Sequence, residues 1–355
     1  MLLKNLARPR VEVLEDRAVP AILLSLDLNS NLTGIFGVPD GDVTVTFTAD
    51  DEVNIVEDGN DLGTYSVGGN LNVNIGNTVA ALTHTFDFAG FSMSGSLSVT
   101  LGNSSSATTL DFVGGGGTVD GNLTVRTGNG VDDVTVTDLT VEGSGNFNTQ
   151  SSVDSLVVDG SSVEGNLVVT GVQDFALTGS TVEGVFSFNS RLESLATTID
   201  IDVASVIEGI ASISTGAGAD TVNFDGTIND HAIFKLGAGG NTLNINDGSV
   251  ILGNTVVSTT AGNDTVALGA AILGGMFTAT TGAGDDDVTF DGTTILGALV
   301  TFVGGNGDDT LTITAAGLSA PGARLLFHGL NGDDTVNFDD ASAIDLFFAY
   351  LDGGF

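Results

Sequence analysis

The chain returns to the same pattern about every 22 residues, and that return limits its fold more than any other feature. Gly253, Gly275 and Gly297 each open a stretch in which apolar and polar residues alternate. A Gly- and Asp-rich turn follows, and then a second alternating stretch. A period of roughly 20–30 residues built from strand-like pieces marks a solenoid, in which each repeat packs only on its neighbours.

Two landmarks recur. The first is a Gly followed by alternation, as at Gly69, Gly95, Gly121 and Gly165, and more loosely at Gly145, Gly184, Gly209, Gly253, Gly275, Gly297 and Gly322. The second is an Asp or Asn, one further residue, and an apolar strand, as in Asp220-Thr-Val-Asn-Phe224 and Asp264-Thr-Val-Ala-Leu268. Alternation at period two sends one set of side chains inward and the other outward. In register, the inward columns are Val222/Leu243/Val266/Val288/Leu311/Val336 and Phe224/Ile245/Leu268/Phe290/Ile313/Phe338. A slip of one residue would bury the Thr, Asn and Asp columns beside them, so the register is strongly specified. A third apolar piece, such as Ile251-Leu252, Ile272-Leu273 or Ile295-Leu296, precedes the next Gly.

Three short strands per coil, each pairing with its counterpart one coil on, predict an all-β, right-handed parallel β-helix. The spacing predicts about 12–13 coils of roughly 22–23 residues, a rod about 60 Å long. A β-propeller wants longer units and a signature absent here. The expected organisation is a disordered export or sorting segment at 1–20, a cap and first strands at 21–45, and the β-helix at 46–355. The chain ends on Leu351-Asp-Gly-Gly-Phe355, the start of a further turn. Either the β-helix is truncated there or that edge meets a partner, with end-to-end self-association as one outcome.

Charge narrows the partners. Eight Lys+Arg stand against 45 Asp+Glu, a net charge of −37, and four of the eight are Lys4, Arg8, Arg10 and Arg17. Neutralising phosphates takes clustered cations, so nucleic acid is excluded as a partner, and anionic membrane surfaces with it. No apolar run approaches the ~18 residues of a membrane span, so membrane insertion is not expected. The acidity favours solubility and cation binding. With no cysteine, rigidity comes from something other than disulfides.

Residues 8–21, RPRVEVLEDRAVPA, carry Leu14, Glu15, Asp16, Arg17, Val19 and Pro20. They resemble the short N-terminal motif of many large secreted or surface proteins of planctomycete bacteria. The resemblance implies an extracellular or cell-surface destination and no particular activity. As a conventional signal peptide the segment is poor, because acids interrupt its apolar centre.

The turns between strands carry a pattern of their own. Gly304-Gly-Asn306-Gly-Asp308-Asp309 reads GGxGxD in full, and Gly282/Gly284/Asp286, Gly262/Asp264, Gly237/Gly239/Asn241, Gly216/Gly218/Asp220, Gly128/Gly130/Asp132 and Gly332/Asp334 keep part of it. These turns resemble the repeats-in-toxin β-rolls, in which Gly turns expose carbonyls and Asp completes a calcium shell. The resemblance implies Ca²⁺ ligands at Asp220, Asp264, Asp286, Asp287, Gly304, Asn306, Asp308, Asp309, Asp333 and Asp334. Hard oxygen donors without His or Cys suit Ca²⁺. Carboxylates stacked one coil apart would repel by about 1 kcal/mol per pair in water, which a cation would relieve. The alternative is an ordinary tight turn, with Gly for geometry and Asp for backbone hydrogen bonds.

No cluster of unlike catalytic groups is legible. Arg324, which begins a strand beside the most acidic turns, is the one basic candidate for a lyase-type proton abstractor. His84, His231 and His328 are scattered and read as turn or surface residues. Neighbouring acids such as Asp285/Asp286/Asp287 could serve a glycosidase, but similar pairs recur at Asp308/Asp309 and Asp333/Asp334, and repetition favours structure over a unique site. The Thr221/Thr242/Thr265/Thr310/Thr335 column is too irregular for an ice-binding array. The leading expectation is a non-enzymatic, exported, calcium-stabilised scaffold, structural, adhesive or matrix-forming, with polysaccharide or other surface proteins as partners. The alternative is a polysaccharide lyase or glycoside hydrolase on the same scaffold, an analogy of fold alone.

Overall fold

In the computed structural model the described residues are 22–27, 30–36, 41–150, 153–190, 194–297, 299–314, 323–338 and 346–352. The segment 1–20 with its motif, Gly322 and the last three residues lie outside them. Every regular element among the described residues is a strand, and the chain forms a parallel β-helix of about 11 turns. Turn length varies from 19 residues, between Asp154 and Gln173, to 26, between Asn70 and Ser96.

Each turn has three faces. Face A is a 15-stranded sheet that includes Leu71–Ile75, Leu97–Leu101, Leu123–Arg126 and so on to Leu346–Asp352. Face B holds strands such as Thr221–Phe224, Thr242–Ile245 and Thr265–Leu268. Face C is two residues wide, as at Val250–Ile251 and Ile272–Leu273. The rest of each turn supplies the crossover that parallel pairing demands.

The two apolar columns read from the sequence pair in that register, Val222 with Leu243 and Phe224 with Ile245, and onward to Val336 and Phe338. They are buried through Leu311 and Ile313; Val336 is half-buried and Phe338 is exposed. On face C the inward residues are Ile251, Leu273 and Ile295. Leu252 and Leu296 fall past the strand and are exposed. Rings meet along the core, Phe86 stacked on Phe112 at 5.1 Å and Phe302 tilted against Phe327 at 5.4 Å. Such pairs add to the burial that drives folding.

Most face-A strands open on a glycine fixed by close approach, with Asp230 in that place before Ala232–Lys235. A Cβ on Gly275 would land on the backbone of Gly253, and one on Gly297 on the carbonyl of Gly275. Gly143, and not Gly145, holds this position in its turn: its amide donates to Gly121 O, and Gly165 N donates to Gly143 O, both at 3.0 Å. Gly145 instead pairs with Leu123 inside the strand.

The N-terminal end is closed by antiparallel strands. β1 (Ile22–Leu26), at the edge of face A, pairs with β2 (Leu32–Phe36), where the parallel part of that sheet begins. β3 (Val43–Ala49), β4 (Glu52–Glu57) and β5 (Asn60–Ser66) form a meander on the edge of face B. The antiparallel part therefore runs to Ser66, past the expected boundary at 45. Val53 and Ile55 are buried there, and Phe47 stacks on Phe88 at 4.4 Å. An antiparallel end spares the first parallel strand an open edge.

Candidate functional site

The Gly/Asp turns join face A to face B, and two rows of side chains run along this corner. The inner row is the residue just before each face-B strand. Its backbone amide donates to the side-chain oxygen of its equivalent one turn on. Asp132 N donates to Asp154 Oδ1 at 2.9 Å, and Asp154 N to Gln173 Oε1 at 3.0 Å. Thr197 N donates to Asp220 Oδ1 at 2.8 Å, Asp220 N to Asn241 Oδ1 at 3.1 Å, and Asn241 N to Asp264 Oδ1 at 2.8 Å. Asp264 N reaches Asp286 Oδ1 at 2.8 Å, Asp286 N reaches Asp309 Oδ1 at 3.1 Å, and Asp309 N reaches Asp334 Oδ1 at 3.0 Å. Asp220, Asp264, Asp286 and Asp309 are at most 2% exposed. These carboxyl groups lie inside the rod and point away from solvent.

Their second oxygens lack donors. Oδ2 of Asp132, Asp220, Asp264, Asp286, Asp309 and Asp334 is buried without a hydrogen-bond partner. Burial pushes the carboxyl pKa of Asp132 and Asp309 up to about 7 and raises those of Asp220, Asp264 and Asp286. Neighbouring hydroxyls of Thr127, Thr215, Thr259 and Thr281 oppose the rise. Two of those hydroxyl protons are already committed: Thr259 Oγ1 donates to Thr281 O, and Thr281 Oγ1 donates to Gly304 O at 3.1 Å. A protonated Oδ2 beside such a hydroxyl has an acceptor in the Thr oxygen, whereas an ionised one has no donor.

Where the hydroxyl is absent, the row changes chemistry. Gly171 and Leu236 occupy the Thr position in their turns, and there the row holds amides. Gln173 Nε2 donates to Gly171 O at 2.7 Å. Asn241 Nδ2 donates to Gly237 O at 3.1 Å and Gly239 O at 3.0 Å. At Gly304 and Gly329 the carboxyl itself fills the space, since a Cβ there would land on Asp309 Oδ2 or Asp334 Oδ2.

The outer row is exposed and its hydrogen bonds run the opposite way. Asp285 N donates to Asn263 Oδ1 at 3.1 Å, Asp308 N to Asp285 Oδ1 at 3.0 Å, and Asp333 N to Asp308 Oδ1 at 2.8 Å. The ten residues grouped by the calcium resemblance therefore divide. Asp220, Asp264, Asp286, Asp309 and Asp334 are inner, and Asp308 and Asp333 are outer. Asp287 is exposed at the start of Asp287–Asp291, and Gly304 is buried behind Asp309. Asn306 Oδ1 accepts from Asn331 Nδ2 at 2.7 Å. Among the described residues, no group of three or more His, Cys, Asp or Glu side chains is placed to hold a metal ion.

Sequence reasoning missed Asp154, Gln173 and Thr197 as members of the inner row, which breaks once, where Gln173 N donates back to Asp154 O at 3.1 Å and the forward bonds resume at Thr197. For Asp154 the signal was the recurring spacing of five in Thr127/Asp132, Thr149/Asp154, Thr215/Asp220, Thr259/Asp264 and Thr281/Asp286; Gln173 and Thr197 break that spacing. The histidine reading needs correcting at one place. His84 is fully buried, and its Nδ1 accepts the Val43 amide at 3.1 Å. Desolvation brings its pKa down to about 4. His231 is a corner residue whose Nδ1 accepts from Asn254 N at 2.7 Å.

The cations stay apart from these rows. Arg126 and Lys235 lie in one outward column of face A, linked through Asn148, Thr170, Asn189 and Ser214. Arg324 pairs with Leu299, beside a shallow cavity lined by Leu325 and Leu326. An open groove of 540 Å³ along the corner between faces B and C is lined by Asp225, Asn246, Asp247, Gly269 and Asp291, among others. No family model, curated protein or solved structure matches this chain.

Proposed function

We propose that this chain is a non-enzymatic rod exported to the cell surface or the extracellular space, where it serves as a structural, adhesive or matrix scaffold. One observation carries the reading. The polar groups of the rod repeat turn after turn in like-with-like rows, as in Asp264/Asp286/Asp309. An active site needs unlike groups converging at one place. The cell-surface destination rests on the resemblance of residues 8–21 alone.

The place for Ca²⁺ in this reading is the outer row Asp285/Asp308/Asp333. The inner carboxyl groups are enclosed, whereas the outer ones, which also accept amides through Oδ1, face solvent. A cation along the outer row would relieve repulsion between exposed carboxylates one turn apart. Thermal melts separate specific binding from screening: a midpoint raised by millimolar Ca²⁺ but not by Mg²⁺ supports a calcium role, and equal shifts remove it.

Incubation of purified protein with acidic and neutral polysaccharides tests the main reading. Retention of polymer without release of unsaturated or reducing ends is expected. Release of such ends that stops in Arg324→Ala would replace the scaffold with a polysaccharide lyase.

A further inference from the structure

The chain carries 45 Asp and Glu, yet one broad stretch of its surface has none. From Leu71–Ile75 to Phe186–Asn189, the outward positions of face A hold Asn, Ser and Thr, broken only by Arg126 and Val168. Acids flank this stretch at its corners. Asp120, Glu142, Glu164 and Glu183 stand where face C turns into face A, each followed by a glycine and one neutral residue before the strand. Arg126 closes its strand at the opposite edge of the face. Around the corner beyond it, the side chains of Asp132 and Asp154 are enclosed in the inner row.

The polar side chains here are left open. Among the described residues, the Arg126 guanidinium makes no ion pair or hydrogen bond, and the side chains of Thr124, Asn148 and Thr170 make no hydrogen bond either. Face B differs: there Asn223 Nδ2 donates to Asp200 Oδ1 at 2.7 Å, and Asn244 Nδ2 to Asn223 Oδ1 at 2.8 Å. The open groups of face A meet in one place. Arg126 pairs with Asn148, Asn148 with Thr170, and Thr124 with Asn146. Together they line a shallow hollow of about 280 Å³, with Val168 among its walls.

A guanidinium offers a planar fork that takes a carboxylate with two parallel hydrogen bonds. Amides and hydroxyls both donate and accept, as sugar hydroxyls do. A polymer of phosphates needs more cations, and in this column the next one, Lys235, stands five turns on. Single-stranded nucleic acid also wants exposed rings to stack on, and Phe147 faces the core. The corner acids do not cancel Arg126. A strand's width separates it from them, about 10 Å of backbone, more than the ~8 Å over which charges act at physiological salt.

We infer that this hollow binds an acidic glycan, with a uronate carboxylate on Arg126 and sugar hydroxyls on Asn148, Thr170 and Thr124. This rests on the scaffold reading, since it names what the scaffold holds and where. The ligand supplies the one charge that face A lacks and the hydrogen-bond partners that its amides and hydroxyls do not find in one another.

Calorimetric titration of the full chain at physiological salt tests this, with short oligomers of galacturonate, glucuronate and mannuronate, each beside its uncharged methyl ester. At least one uronate is expected to bind, and more tightly than its ester. Arg126→Ala should weaken that uronate about tenfold or more, down to the level of the ester, and leave the ester's binding unchanged. Arg126→Lys should keep only part of the preference, for want of the fork. Asn148→Ala should weaken acid and ester alike. Lys235→Ala, in the same column, should leave the short oligomers bound. All three positions are exposed, so the variants are expected to melt as the wild type does. No binding of any of these uronates, equal binding of acid and ester, or an Arg126→Ala variant without effect overturns the inference and leaves the scaffold reading standing. Tetraglutamate bound as tightly as the best sugar also overturns it, leaving a bare anion contact. Release of reducing or unsaturated ends during the titration would overturn the scaffold reading, and this inference with it.

Discussion

The amide of Asp286 donates to Oδ1 of Asp309, one turn further along the rod, at 3.1 Å, while Oδ2 of Asp309 is buried with no donor. One carboxyl group thus clamps two turns together and leaves half of its hydrogen-bonding capacity unmet. An ionised carboxylate in that position carries a desolvation penalty that a neutral acid or an amide does not.

Stability should therefore fall as pH rises. The carboxyls of Asp132 and Asp309 titrate near 7 in the fold, above their usual 3.8. Asp220, Asp264 and Asp286 are raised as well. A raised folded pKa means the native state holds more protons than the unfolded one. The stabilisation is complete below the unfolded pKa and is lost as pH climbs through the folded one. His84 acts the other way: with a pKa of about 4 against 6.5, it favours the fold more as pH rises between those values. The five carboxyls outnumber it. The melting midpoint is expected to drop by several degrees between pH 5 and 8. Repulsion among surface acids has the same sign but is screened by molar salt, whereas the buried row is not. A slope that vanishes in molar NaCl would assign the effect to the surface instead.

Asp309→Asn should stabilise the rod at alkaline pH. Asn241 shows the arrangement: its Oδ1 accepts from Asp220 N, and its Nδ2 reaches the carbonyls of Gly237 and Gly239. Gly305 and Gly307 stand at the same offsets before residue 309. An amide there keeps the clamp and satisfies the second atom. The expected gain at pH 8 is roughly 1–3 kcal/mol, the usual penalty for an unsatisfied buried polar group. At pH 5 the gain should shrink, because the wild-type acid is neutral. Denaturant melts at both pH values measure it, and an equal effect at both would contradict this account.

Much of this architecture could be read before any coordinates. Val222/Leu243/Val266 and Phe224/Ile245/Leu268 are apolar at every turn, and a period-two pattern with no exception fixes both face and register. The corner was harder. Asp286 and Asp285 are neighbours in the chain, yet one faces the core and the other the solvent. Composition of a Gly/Asp turn does not distinguish them; that depends on where the strand's alternation resumes. The motif already set Asn241 and Asp264 at equivalent places, but spacing could not show that both accept the amide of the preceding turn through Oδ1 while only the amide side chain satisfies its second atom. His84 escaped for a similar reason, since its buried partner Val43 lies in a cap strand outside the repeat.

The stacked glycines give the sharpest local test. Gly297 and Gly248 are both turn glycines. Gly248 has φ +87 and open space around its Cβ position, so alanine there brings only backbone strain, about 1 kcal/mol. Gly297 lacks a positive φ, and dihedral preference alone would let alanine in. Its Cβ would nonetheless land on the carbonyl of Gly275, backbone against backbone. Relief requires neighbouring turns to part, which stretches the hydrogen bonds of faces A and C at once. Gly297→Ala should cost more than Gly248→Ala by roughly 2 kcal/mol or more, in the range of overpacked cores. Denaturant melts of the two variants decide it. Equal losses would mean that the glycine repeat answers to turn conformation rather than to the closeness of the windings.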